Sequence, residues 1–261
     1  MLANVFAKSA RDATLWTVAA VAILLVLAAV AIPVYAEFGP SYMSLLDEMP
    51  DWIAVVYGDS LGSVAGLVGM AMFTLMTPLV LLVYAIGLGT AAAVGEEEAR
   101  TLPLLLSNPI SRSHVLAAKS TVVGIGVGLI LLAVWLGVEA IAAVVGIDLA
   151  GLDTFAATVH LAALALLFGS LSMAASAWTG SSVVGLGVAG IVAVLSYVSW
   201  TWLPIVKDLA GLARFSPWHL YAGAEALSRG IDAGLLLLAL GMAAVLVGLG
   251  FAGLRRRDLK A

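Results

Sequence analysis

Six runs of apolar residues, at about 14–35, 61–94, 115–147, 154–177, 183–203 and 233–254, leave this chain few ways to fold. Each has about the twenty or more residues a helix needs to cross a bilayer's hydrocarbon. The two longest, 61–94 and 115–147, are still too short for two crossings and a turn, so each reads as one long helix that extends beyond the hydrocarbon. Composition agrees: 63% of the 261 residues are hydrophobic and 11% are charged, far below the quarter or so of soluble domains. A single water-soluble core could not hide so much apolar surface. The expected fold is an all-α polytopic membrane protein, one transmembrane domain over 1–261. There is no cysteine, which excludes disulfides, thiol catalysis and thiolate metal sites.

Lys8 and Arg11 precede the first run, as they would in a secretory signal. That run is near twenty residues, whereas the apolar part of a signal is usually about 7–15, so a retained first span is expected. Residues 1–12, with Leu2, Val5, Phe6 and Ala10 at near-helical spacing, suit a short interfacial helix or a frayed terminus. Orientation follows Lys and Arg. On a six-span path nine of them fall on one side: Lys8, Arg11, Arg100, Arg112, Lys119, Arg255, Arg256, Arg257 and Lys260. Lys207, Arg214 and Arg229 fall on the other, with Glu37, Asp47, Glu48, Asp51 and Asp59. Both termini are therefore expected in the cytoplasm, with the chain in the cell's plasma membrane. Small residues four apart, Gly62 with Gly66, Gly124 with Gly128 and Ala244 with Gly248, suit close helix packing in lipid.

Between the second and third spans lies Glu96–Lys119, EEEARTLPLLLSNPISRSHVLAAK. Glu96, Glu97 and Glu98 mark where the second helix leaves the membrane, since carboxylates in hydrocarbon are costly. Thr101 is placed to cap a following helix, and Pro103 suits its first turn. Leu102, Leu104, Leu105 and Leu106 give that helix of about two turns an apolar surface. Ser107-Asn108-Pro109 stops it, and Ser111 or Ser113 can cap the third span. So short a helix is unstable alone in water; it needs the membrane surface or a groove on a soluble partner.

In these residues the stretch resembles the ABC-2 type permeases. Their segment usually reads Glu-x-x-x-Gly-Thr-Leu-x-x-Leu-Leu-(Ser)-x-Pro-(Ile/Val)-Ser-Arg, followed by Lys. Arg100 stands here where the family usually has Gly, and Pro103 where it often has Glu. Phe215-Ser216-Pro217-Trp218-His219-Leu220-Tyr221 is similar to the family's Ser-Pro-x-x-Tyr segment, and Arg256-Arg257-Asp258-Leu259 to its terminal Arg-Arg-Asp. The likeness covers essentially the whole chain. It implies the transmembrane subunit of an ATP-driven transporter, forming the pathway of an exporter. The loop would be a coupling helix on a cytoplasmic ABC ATPase subunit, a role that Glu96, Glu97, Glu98, Thr101, Leu104, Leu105, Leu106, Pro109, Ser111 and Arg112 match. Ser216, Pro217 and Tyr221 would belong to short re-entrant or capping helices on the exterior side. Six spans are half of the twelve expected around one pathway, so a second permease subunit, identical or similar, is implied.

No Gly-x-x-x-x-Gly-Lys-Ser/Thr occurs, because Lys119-Ser120 follows Ala-Ala. This chain is not expected to be an enzyme or to bind a cofactor; ATP-Mg would sit on the partner. His114, His160 and His219 are dispersed and lack ligand spacing, and Met70, Met72 and Met76 do not share one helical face, which leaves a soft-metal site without support. No nucleic-acid partner is expected. Glu139 is the one acid inside a span and so a functional candidate, although it lies near the outer interface, where it could snorkel or pair with an exterior Arg. An ion-driven secondary transporter would need ionisable residues and broken helices at mid-membrane, and only Glu139 and Pro78 qualify. A permease for maturation of a copper enzyme is the other alternative. Cargo is not encoded in any motif.

Overall fold

The computed structural model describes residues 2–46, 63–101, 111–206, 208–221 and 223–257. They form α1 (Leu2–Leu46), α2 (Val64–Glu98), α3 (Arg112–Val145), α4 (Thr154–Thr179), α5 (Ser182–Trp202), a short α6 (Gly223–Arg229) and α7 (Ala233–Arg256). Three 3-10 turns, Leu203–Ile205, Ala210–Phe215 and Pro217–Leu220, link α5 to α6. The chain is all-helical among the described residues, and every helix except α6 is long and apolar enough to cross a membrane.

The expected separation of 1–12 from the first span is absent, since α1 runs unbroken from Leu2. No Gly or Pro lies between Leu2 and Ile32 to stop it, and Lys8 near its start is held by an ion pair. α2 has an internal change of register. Met70–Met76 is a π-helical stretch in which the Thr77 amide bonds the Met72 carbonyl five residues back. In that register residue 78 would serve the Phe73 carbonyl, but residue 78 is proline and has no N–H. The other ends are closed by side chains: Ser111, Asp153, Ser181 and Asp232 accept from the first-turn amides of α3, α4, α5 and α7.

α4 is the axis of the bundle, packed against α2, α5 and α7, while α1 lies along α3. Its Gly169, Ser172 and Ser176 form a narrow face. A Cβ on Gly89 of α2 would collide with the Gly169 carbonyl oxygen, and one on Gly185 of α5 would lie 2.8 Å from the Ser172 carbonyl. The Ser172 hydroxyl bonds the Ile86 carbonyl of α2 at 3.0 Å. The spacings expected to mediate packing do not all do so. A Cβ on Gly128 or Gly248 would meet nothing within 4 Å, so those positions lie on open faces. Outward, α1, α5 and α7 show Trp16, Val26, Ile191, Val194, Leu237 and Val245, the apolar belt that lipid solvates.

Candidate functional site

Charge gathers at one end of the bundle, where α1 and α3 begin, α2 and α7 end, and α4 turns into α5. The stop of α2 sets its geometry. The Thr101 amide bonds the Glu96 carbonyl at 2.9 Å and the Arg100 amide bonds the Glu97 carbonyl at 3.1 Å, a Schellman closure with Arg100 at the left-handed position. Arg100 has φ +56°, the conformation glycine adopts without steric cost. Arg100, one of the two departures from the ABC-2 pattern, therefore sits where the backbone favours Gly for a physical reason.

The three glutamates before that stop are turned toward the protein's own helices. Glu96, its side chain 11% exposed, accepts Lys8 of α1 on both oxygens at 3.0 Å and Lys119 of α3 at 3.0 Å. The Thr101 hydroxyl also donates to it. Glu97 pairs with Arg257 at 2.5 Å, and both side chains are almost out of water. Glu98 accepts from the Ser182 amide, the first of α5, at 2.9 Å. The Arg257 guanidinium lies over the α4–α5 turn, where a Cβ on Gly180, at φ +66°, would overlap it. Beside it Arg256 stands over the Trp178 ring, 5.8 Å from its centre. Lys8 and Arg257 thus bring both ends of the chain to the same end of the bundle.

Of the other residues expected in coupling, Ser111 caps α3 through the His114 amide, and Arg112 is the exposed first residue of that helix. Leu104, Leu105, Leu106 and Pro109 lie outside the described residues.

The opposite end is closed by the described residues between 203 and 232. Ser216 donates to the Ser196 carbonyl of α5 at 2.7 Å, and the Ser196 hydroxyl accepts the Trp218 amide at 2.8 Å. Pro217 opens the next 3-10 turn. Tyr221 is fully buried and its hydroxyl donates to the Phe73 carbonyl, the carbonyl that Pro78 leaves without an amide. Burial pushes the Tyr221 phenol well above its ordinary range, which keeps it a donor. His160 of α4, 1% exposed, reaches the Leu220 carbonyl through Nδ1 at 3.2 Å and accepts the Asp232 amide on Nε2 at 3.1 Å. Three helices, α2, α4 and α5, therefore pin this segment. Sequence reading found Ser216, Pro217 and Tyr221 through the family pattern but left His160 as a dispersed histidine, because its partners are backbone groups 60 and 72 residues away.

Glu139 accepts from the Thr154 hydroxyl at 2.5 Å, and Trp135 donates to the same Thr154 oxygen at 3.1 Å. Its partner among the described residues is a hydroxyl rather than an arginine. No group of three or more His, Asp or Glu side chains that could hold a metal occurs among the described residues. Between α2 and α5, under Trp218 and Tyr197, lies a cavity of about 380 Å³ lined by Thr74, Pro78, Leu82, Ile86, Gly190 and Val194 among others. Its wall is almost wholly apolar, so it offers packing rather than chemistry.

A family model described as "ABC-2 family transporter protein" matches residues 3–259. No curated protein matches the chain.

Proposed function

We propose that this chain, which belongs to the ABC-2 transporter family, forms the translocation pathway of an exporter driven by a separate cytoplasmic ATPase subunit. As a member of that family it is the permease subunit of an ABC transporter, a multi-pass membrane protein. The single observation that carries the proposal is the match over 3–259 on a chain with six membrane-length helices. The absence of a phosphate-cradling loop from residues 1–261 supports a separate ATPase subunit as the source of the energy. The proposed point of entry is the 96–112 stretch, with Leu104, Leu105 and Leu106 as the apolar surface that seats in the ATPase's groove.

The charge bias supports a cytoplasmic position for that end and an exterior one for the 203–232 segment. A second permease subunit completes the pathway. The test is Leu105→Asp: the variant inserts in the membrane but no longer co-purifies with the ATPase. Undiminished co-purification would remove the docking role from this loop.

A further inference from the structure

Successive residues on an α-helix point about 100° apart, so Glu96, Glu97 and Glu98 fan over about 200° of the α2 circumference. Each takes a different neighbour. Glu96 holds Lys8 and Lys119 of α1 and α3, Glu97 holds Arg257 at the end of α7, and Glu98 caps α5 at Ser182. α4 joins through Gly180, against which Arg257 packs. A run of acids that only marked a helix's exit into water would be solvated on all sides. Glu96, Glu97, Lys119 and Arg257 are instead mostly shielded from it, and removing one partner of such a pair strands the other charge.

We propose that Lys119, Arg257 and the Ser182 amide are positioning groups that make the end of α2 the hub through which a displacement reaches α1, α3, α5 and α7 together. The inference rests on the permease reading above and extends it. Arg257 is the informative member, since it lies 160 residues from its partner and outside the loop proposed to meet the ATPase. Docking alone gives it no part.

The test uses the complex of this chain with its ATPase in proteoliposomes, reading ATP hydrolysis and retention of the ATPase. Glu97→Arg and Arg257→Glu should each lower permease-dependent hydrolysis at least tenfold, Arg257→Glu with the ATPase retained, and the double reversal should restore most of it. Because the chain has no cysteine, Glu97→Cys with Arg257→Cys gives a second arm should the reversed charges prevent folding. Hydrolysis in that pair is expected to be low, to recover when a short cleavable bis-maleimide joins the two residues, and to fall again on cleavage. Normal hydrolysis in both single reversals, or a linker that leaves the cysteine pair unchanged or lowers it further, overturns the hub. An unmodified chain that retains no ATPase overturns the permease reading instead.

Discussion

Arg100 occupies a position whose backbone favours glycine, at φ +56° in the closure of α2. The left-handed conformation costs a residue with a Cβ about 1–2 kcal/mol, so Arg100→Gly should raise the melting temperature in detergent, by about 2–4 °C per kcal/mol for a chain of this size. An unchanged or lower value would mean that the arginine side chain contributes more than the strain costs. Tyr221 offers a sharper test. Removing its hydroxyl leaves the buried Phe73 carbonyl unpaired, at about 1–3 kcal/mol, and Pro78 is the reason no amide replaces it. Tyr221→Phe should therefore cost less in a Pro78→Ala background, and a double-mutant cycle on thermal stability reads the difference. Additive losses would separate the two residues. At Glu139, Gln keeps an acceptor for Thr154, so Glu139→Gln should leave stability and permease-dependent ATP hydrolysis within about twofold, in line with an interfacial hydrogen-bonding role. The sequence showed that Arg100 departs from a family pattern and that Glu139 is an acid within a span. It could not show a positive φ or a hydroxyl partner, because both follow from where the chain has already folded.

At the scale of the helix, the presence of six membrane-length helices was legible because apolar length is local. Ser111 is recognisable in the sequence as a cap of the third span, and it caps that helix. Which face of a helix meets which neighbour was not. The spacing of Gly124 with Gly128 looks like a packing motif, yet a Cβ on Gly128 would meet open space, while Gly89 faces the Gly169 backbone across the α2–α4 contact. In lipid both faces of a span are apolar, so hydrophobic pattern carries little information about orientation. Gly89→Ala should accordingly destabilise the protein by about 1–3 kcal/mol through overpacking against backbone that cannot yield, whereas Gly128→Ala should be neutral or mildly stabilising. Equal melting temperatures for the two variants would contradict the α2–α4 contact.

For the whole molecule, the bilayer did most of the specifying: apolar length fixes the number of spans, and the Lys and Arg bias proposes their direction. The long-range ties at the two ends, Glu97 to Arg257 and Tyr221 to Phe73, were beyond sequence reading since no local rule pairs residues 160 or 148 apart. Direction is open to a clean assay in a cysteine-free chain. An impermeant maleimide should label exposed Ser228→Cys in intact cells and Arg255→Cys only after permeabilisation; the reverse pattern would invert the topology. The central claim, a permease worked by another chain's ATP hydrolysis, is tested most directly by assaying Mg-ATP hydrolysis on the affinity-purified protein. The predicted result is hydrolysis that follows a co-purifying ATPase subunit and is absent from the chain alone. Hydrolysis by the chain alone, or membrane extracts from which no ATPase ever accompanies it, would contradict the account.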